Sequence, residues 1–328
     1  MTVRWGFIGA GFVAGRAMAP AVHAANGARL QAVASRDAKR SSELEPLVVH
    51  ESYRTLIDDP NVDAVYISLT NVQHKEWVIA ALEAGKHVLC EKPLALDADE
   101  VRAMQAIAEQ NRRLLVEAVW TRWQPRMKRM AEVVRRGDIG EPLAVSSAFT
   151  FRGDLAGNYR SQPEMGGGAL LDVGCYQAHL WLMLLGESVD FSIDNVATIT
   201  GPTGIDLTTS AEVTLNQSVR ADAVCSFDME PEQRIAVTGS SSSMRTGDGE
   251  AFTLWKQDAT LIVGDTVERF AAADAFALMV EDVSAAILGE SAAVFPVASS
   301  LRVAEILDSI RSVASPSTGC NDNETKEN

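Results

Sequence analysis

Val3-Arg4-Trp5-Gly6-Phe7-Ile8-Gly9-Ala10-Gly11-Phe12-Val13-Ala14 is the stretch that decides the fold. Residues 3–8 form a near-continuous apolar run, the pattern of a strand buried on both faces of a parallel sheet. A glycine-rich turn follows at once and opens a helical pattern over 12–25. Gly9 permits the tight turn, Gly11 lets the backbone approach a pyrophosphate, and Ala14 is small enough for the helix to pack on the sheet. Backbone amides of Gly11, Phe12 and Val13 and the helix dipole would then hold the phosphates. Tight strand–helix turns occur in other α/β proteins, but a match in the first such unit of the chain favours a dinucleotide.

Outward from this stretch, strand patterns at 3–8, 30–35, 64–69, 87–90 and 114–117 alternate with helical ones at 12–25, 38–47, 75–84 and 97–110. Asp97 is an N-cap for the last helix, and the second is cut short before Pro46. Such alternation predicts a parallel sheet with helices on both faces, a Rossmann domain over 1–120. The pattern changes after residue 124. A helix over 126–136 closes on Gly137, a strand follows at 143–151, and Gly166-Gly167-Gly168 leads into a helix over 169–185. Period-two segments at 192–199, 207–215, 220–227, 233–238, 252–256 and 260–263 predict a large, mainly antiparallel open sheet. Helices over 274–288 and 298–313 complete an α+β domain spanning 121–315. The polar tail, 316–328, is expected to be disordered.

The 328 residues suit two domains. A formal charge of −15 repels a phosphate backbone, so nucleic acid is not an expected partner. The apolar run 179–185 is far short of the ~20 residues of a membrane span, and no basic leader with a cleavage pattern opens the chain. Four cysteines, Cys90, Cys175, Cys225 and Cys320, lack CxxC spacing, so no metal site is implied. The expected setting is the cytoplasm.

Three further constellations carry chemistry. Where an NAD site places an acid to bind the ribose hydroxyls, this chain has Ser35-Arg36-Asp37, with Arg40 one helical turn beyond Arg36. Positive charge there predicts NADP(H), while Asp37 leaves NAD(H) open. Glu91-Lys92-Pro93 ends a parallel strand at the edge where ligands bind, and Pro93 suits a cis bond. Asp172, Tyr176 and His179 share one helical face. An unperturbed phenol titrates near ~10, too high for proton transfer at neutral pH; a nearby lysine would bring it into range.

The glycine fingerprint, Asp63-Ala64-Val65, His74 and Ala84-Gly85-Lys86-His87-Val88-Leu89-Cys90-Glu91-Lys92-Pro93, in that order, resemble the glucose–fructose oxidoreductase / inositol dehydrogenase (Gfo/Idh/MocA) family over about residues 3–313. Residues 116–123 and 166–176 look most like its dimeric dihydrodiol dehydrogenase and NADP-dependent xylose dehydrogenase branch. The resemblance implies an oxidoreductase that moves hydride between a nicotinamide and a carbinol or carbonyl carbon of a sugar, cyclitol or trans-dihydrodiol. It implies catalysis by Lys92, Tyr176 and Asp172, with Tyr176 in place of a histidine acid–base, and a 2′-phosphate held by Arg36 and Arg40. Thr70, Asn71, His74, Glu91 and Pro93 complete the expected cofactor contacts. Lys92, Trp120, Arg122, Asp172, Tyr176 and His179 are the expected substrate contacts. His179 departs from the family, where Asp or Asn is usual. An open sheet with too few later helices to cover both faces predicts an apolar face and a homodimer or larger oligomer through it, in line with a family whose later domain often mediates oligomers. A silent NAD(P)-binding sensor is the alternative, against which the joint presence of Lys92, Asp172 and Tyr176 argues.

Overall fold

The computed structural model describes residues 1–247 and 251–317. Its first sheet is built from β1 (Val3–Ile8), β2 (Ala28–Ala34), β3 (Val48–His50), β4 (Ala64–Ile67), β5 (His87–Cys90) and β6 (Leu115–Glu117), ordered β3-β2-β1-β4-β5-β6 and parallel throughout. The connecting helices are α1 (Ala19–Ala24), α2 (Ala38–Ser42), α3 (Tyr53–Ile57), α4 (Asn71–Glu83) and α5 (Ala98–Asn111). Strand order reverses between β1 and β4, opening a crevice at their carboxyl ends. Alternate residues feed two cores. Trp5 and Phe7 pack on one side of the sheet, Ile8, Val65 and Val88 on the other.

Differences from the sequence reading are local. The first helix begins with a π-helical turn, Ala14–Met18. Helix α2 stops at Ser42, and a short, largely exposed β3 and a one-turn α3 that buries Leu56 and Ile57 follow, both too brief to show a periodicity. Helix α4 starts at Asn71 rather than 75, because the polar Asn71 and His74 of its first turn are buried.

The second domain opens with α6 (Pro125–Arg136), ended by Gly137 at φ 71°. β7 (Pro142–Arg152) follows, then a π-helical turn (Leu170–Gly174) and α7 (Cys175–Leu185). The remaining strands are β8 (Phe191–Thr200), β9 (Asp206–Leu215), β10 (Val219–Ser226), β11 (Asp228–Gly239), β12 (Ser243–Thr246), β13 (Ala259–Val263), β14 (Thr266–Phe270) and β15 (Ser315–Ser317). They form one sheet with β7, ordered β14-β13-β12-β11-β7-β10-β9-β8-β15, antiparallel except at β7–β10 and β8–β15. The strand expected at 252–256 is instead a turn and coil. Phe252 stacks on Phe149 at 5.3 Å and its N–H donates to Gln233 Oε1, so its burial comes without a ladder. Residues 315–317, where the tail was expected to begin, pair with β8, and 318–328 lie outside the described residues.

One face of this sheet, with Val145, Phe149, Val213, Ala221 and Ile235, joins the core of α7. Alternate positions on the other face carry Ser146, Ser210, Glu212, Arg220 and Arg234, so that face is small and polar rather than apolar as the sequence reading expected. Its charges are spent in pairs such as Arg220–Asp222 and Arg234–Glu232. The stretch 163–185 is long and apolar enough to cross a membrane, but 89% of its apolar window is buried in this core. Two last helices tie the domains together. From α8 (Ala275–Ile287), Ser284 Oγ accepts from Trp5 Nε1 at 3.1 Å; from α9 (Val297–Val313), Asp308 accepts from Ala98 N at 2.8 Å.

Candidate active site

A cleft of ≈510 Å³ runs along the carboxyl ends of β1, β2, β4 and β5. Gly9 sits at φ 96° with the Ser68 carbonyl oxygen 2.4 Å from where a Cβ would be, so the turn excludes any side chain. Gly11 differs. A Cβ there would meet only Ser68, at 3.4 Å or more, so the protein interior does not require glycine; the space before it is the cleft. Phe12 and Val13 continue this wall, while Ala14 is buried under it. The loop therefore has room for a diphosphate and a helix start to hold it.

Ser35, Arg36 and Arg40 line the next section. Asp37, which left NAD open, also lines the cleft, but its Oδ1 caps α2, accepting from Lys39 N at 2.9 Å and Arg40 N at 3.2 Å. Among the described residues no carboxylate pairs with Arg36 or Arg40, and both are exposed. Thr70 also lines the cleft. Asn71 reaches it too, but its amide is committed to the Gly166 carbonyl at 2.8 Å. Glu91 lines the floor with its carboxyl held by the Tyr66 hydroxyl at 2.6 Å, and burial raises its pKa.

At the far end, β5 delivers Lys92 through a cis Lys92–Pro93 bond. Lys92 Nζ donates to Asp172 Oδ1 at 2.9 Å and to the Asp172 carbonyl at 2.7 Å. Asp172 sits in the π-helical turn before α7, where the widened ladder offers that carbonyl to a side chain. Arg160 takes the same carboxylate through Nε at 2.6 Å and Nη2 at 3.2 Å. Burial disfavours the Asp172 charge, but Lys92 and Arg160 overcome it and hold the carboxyl down at about 2. Burial likewise works against the Lys92 ammonium, and Asp172 more than restores it.

Tyr176 follows one turn along α7, 8% exposed, with Lys92 Nζ 5.1 Å from its ring centroid. The expectation that Lys92 draws this phenol into the neutral range is not met. Burial pushes it up, and the lysine offsets only part of that rise.

Asp172 and Tyr176 meet Lys92 without lining the cleft themselves, and five further expected contacts stand away from it. His74 is buried between the carbonyl oxygens of Pro93, 2.9 Å from Nδ1, and Leu69, 3.2 Å from Nε2, so it splints the floor loop rather than lining it. His179 is 1% exposed and its Nε2 donates to Glu117 at 3.0 Å; it shares a face with Tyr176 but points into the core. Trp120 stacks on Phe276 at 4.9 Å, and Arg122 pairs with Glu187 over the Phe295 ring. Pro93 is buried as well, its carbonyl serving His74. Among the described residues no group of three His, Cys, Asp or Glu is placed to hold a metal.

Two family models match the chain. The Gfo/Idh/MocA oxidoreductase model with its NAD-binding Rossmann fold covers residues 3–118, and the model of that family's C-terminal domain covers 127–245. The chain is a Gfo/Idh/MocA oxidoreductase. Its first domain is an NAD(P)-binding Rossmann fold. It is 36% identical to the NADP-dependent D-xylose 1-dehydrogenase 2 of Haloferax volcanii across 70% of this chain and 71% of that one. It is 32% identical to mouse trans-1,2-dihydrobenzene-1,2-diol dehydrogenase across 82% and 80%. The 3-ketoreductase KijD10 of Actinomadura kijaniata, solved with NADP and TDP-benzene, superposes with a TM-score of 0.88 at 28% identity, covering 96% of this chain and 99% of that one. KijD10 has also been solved with a tyrosine changed to phenylalanine and with a lysine changed to alanine.

For this Gfo/Idh/MocA chain, sequence reasoning missed the arm Asn158-Tyr159-Arg160, which lines the reacting end of the cleft from the second domain. The arm lies in an aperiodic loop. Its only signal was the triple glycine, whose second member would place a Cβ 2.5 Å from the Arg160 carbonyl. Tyr53, opening α3 at the Arg36 end, and Glu117, the β6 partner of His179, were missed for another reason: each meets residues distant in sequence.

Proposed function

We propose that this oxidoreductase uses NADP(H) and interconverts a carbinol and a carbonyl on a sugar, cyclitol or trans-dihydrodiol. The observation that carries the reading is Lys92, which lines the end of a cleft that begins at the glycine loop and there pairs with the buried Asp172 beside the buried Tyr176. Arg36 and Arg40 support the 2′-phosphate form of the cofactor, since both face the cleft and Asp37 is engaged as a cap. The xylose dehydrogenase relative is NADP-dependent and KijD10 is solved with NADP, which supports the same choice. The lysine and tyrosine replaced in KijD10 are separated by the same number of positions as Lys92 and Tyr176.

The bound nicotinamide supplies or accepts the hydride. The chain's residues handle the proton and the charge. In reduction Tyr176, kept a neutral phenol by burial, donates its proton to the substrate oxygen. Lys92 stabilises negative charge growing on that oxygen, and Asp172 keeps Lys92 charged and aimed. In oxidation the roles reverse: the phenolate of Tyr176, formed as the pH rises and stabilised by Lys92, takes the hydroxyl proton. Tyr176→Phe keeps the ring but deletes the proton, so turnover should fall by about 10²–10⁴-fold with NADPH affinity unchanged. Steady-state kinetics beside cofactor titration tests this, and near wild-type turnover in the variant would overturn the assignment.

A further inference from the structure

Among the described residues Arg160 is the one arginine on the reacting end of the cleft, and its placement is heavily determined. Asn158 Oδ1 accepts from its N–H at 3.0 Å, and its carbonyl accepts from Gly168 N at 3.0 Å. Gly167 must lack a side chain for that carbonyl to come close. The guanidinium rests over the Tyr159 ring at 4.9 Å and grips Asp172 with two donors, sharing Oδ1 with Lys92. A Lys92–Asp172 pair alone would be neutral. With Arg160 the three groups carry one net positive charge, at a point where 31% of the arginine side chain remains exposed.

We infer that Arg160 is a positioning residue for proton and hydride transfer: it neutralises Asp172 so that the Lys92 charge is directed at the substrate oxygen and at Tyr176. This rests on the function proposed above and assigns the second domain's arm a part in it. The other ionisable groups around Tyr176 are Cys175, Glu91 and Asp172, with Tyr159 and Arg160 on the arm. Cys175 is a buried thiol pushed up to about 12 and stays neutral at working pH. Glu91 is held by Tyr66, which leaves the Lys92–Asp172–Arg160 cluster as the adjustable charge.

Removing a positive charge beside Tyr176 makes its phenolate harder to form. In Arg160→Ala the rise of the oxidation rate with pH should therefore move to higher pH, and kcat at neutral pH should drop on the order of 10–100-fold. KM for NADP should stay near wild type. Arg160→Lys should return most of the rate and the pH position, and added guanidinium should partly rescue Arg160→Ala. An unshifted pH profile in Arg160→Ala, or a rate restored by neither lysine nor guanidinium, would overturn the inference. Wild-type turnover with a normal pH limb separates this from failure of the underlying reading; its absence would remove both. Equal thermal midpoints of the two variants confirm that folding is not the cause.

Discussion

At the residue scale, charges freed from internal partners mark the cofactor end. Arg36 and Arg40 line the cleft with no carboxylate partner among the described residues, while Asp37 beside them caps α2 through Oδ1. Losing one charge-assisted phosphate contact costs about 1.5–3 kcal/mol, so Arg36→Ala should weaken NADPH binding by that amount and leave NADH nearly unchanged. Fluorescence titration of both cofactors checks this, and tighter binding of NADH than NADPH by the wild type would contradict it. Motif spacing made the juxtaposition of Lys92, Asp172 and Tyr176 legible, because a strand end and a helical face fix direction. Depth was not legible. His179 lies on the Tyr176 side of its helix, yet the buried Glu117 draws it inward, and periodicity carries no information about such a partner. Arg160 was invisible because a loop has no period to read.

At the scale of elements, β5 and β6 position the floor of the site, and a histidine clips them together. His87 Nδ1 accepts from Leu114 N at 3.0 Å, which requires the neutral ring. Burial, aided by Arg113, lowers its pKa to about 4. An unfolded histidine titrates near ~6.5, so the unfolded chain binds this proton first as the pH falls. The stabilisation is present above ~6.5 and is lost as the pH drops through 4. His87→Asn keeps an acceptor and removes the titration. Urea midpoints measured between roughly pH 7 and 5 should then fall less steeply in the variant than in the wild type; parallel slopes would refute the assignment. Strands of the first sheet were readable because buried parallel strands are continuously apolar. Helix α4 was misread at its start because Asn71 and His74 are polar residues that the fold buries.

At the scale of the molecule, the first sheet and the second domain's 158–160 arm share a cleft, and helices α8 and α9 fix the two domains to each other. The order of strands and helices predicted both sheets; the character of the uncovered face was not legible, since alternation shows two faces without saying which is covered. The uncovered face of the nine-stranded sheet presents Ser146, Ser210 and Thr214 among the charges of Glu212, Arg220 and Arg234, and packed sheets stand about 10 Å apart. We expect a homodimer or larger assembly through this face. Light scattering at micromolar concentration should give a multiple of the chain mass, and Ser210→Arg should shift it toward the monomer. A monomeric wild type would count against the interface.

The most direct measurement of the whole account is reduced or oxidised cofactor turnover by the wild-type protein. The panel should span aldoses, keto sugars, cyclitols and trans-dihydrodiols, each with NADP(H) and NAD(H). The account predicts turnover with at least one of these classes, at a higher kcat/KM for NADP(H). Tight NADPH binding without turnover on any class would contradict it and leave a sensor that keeps the fold.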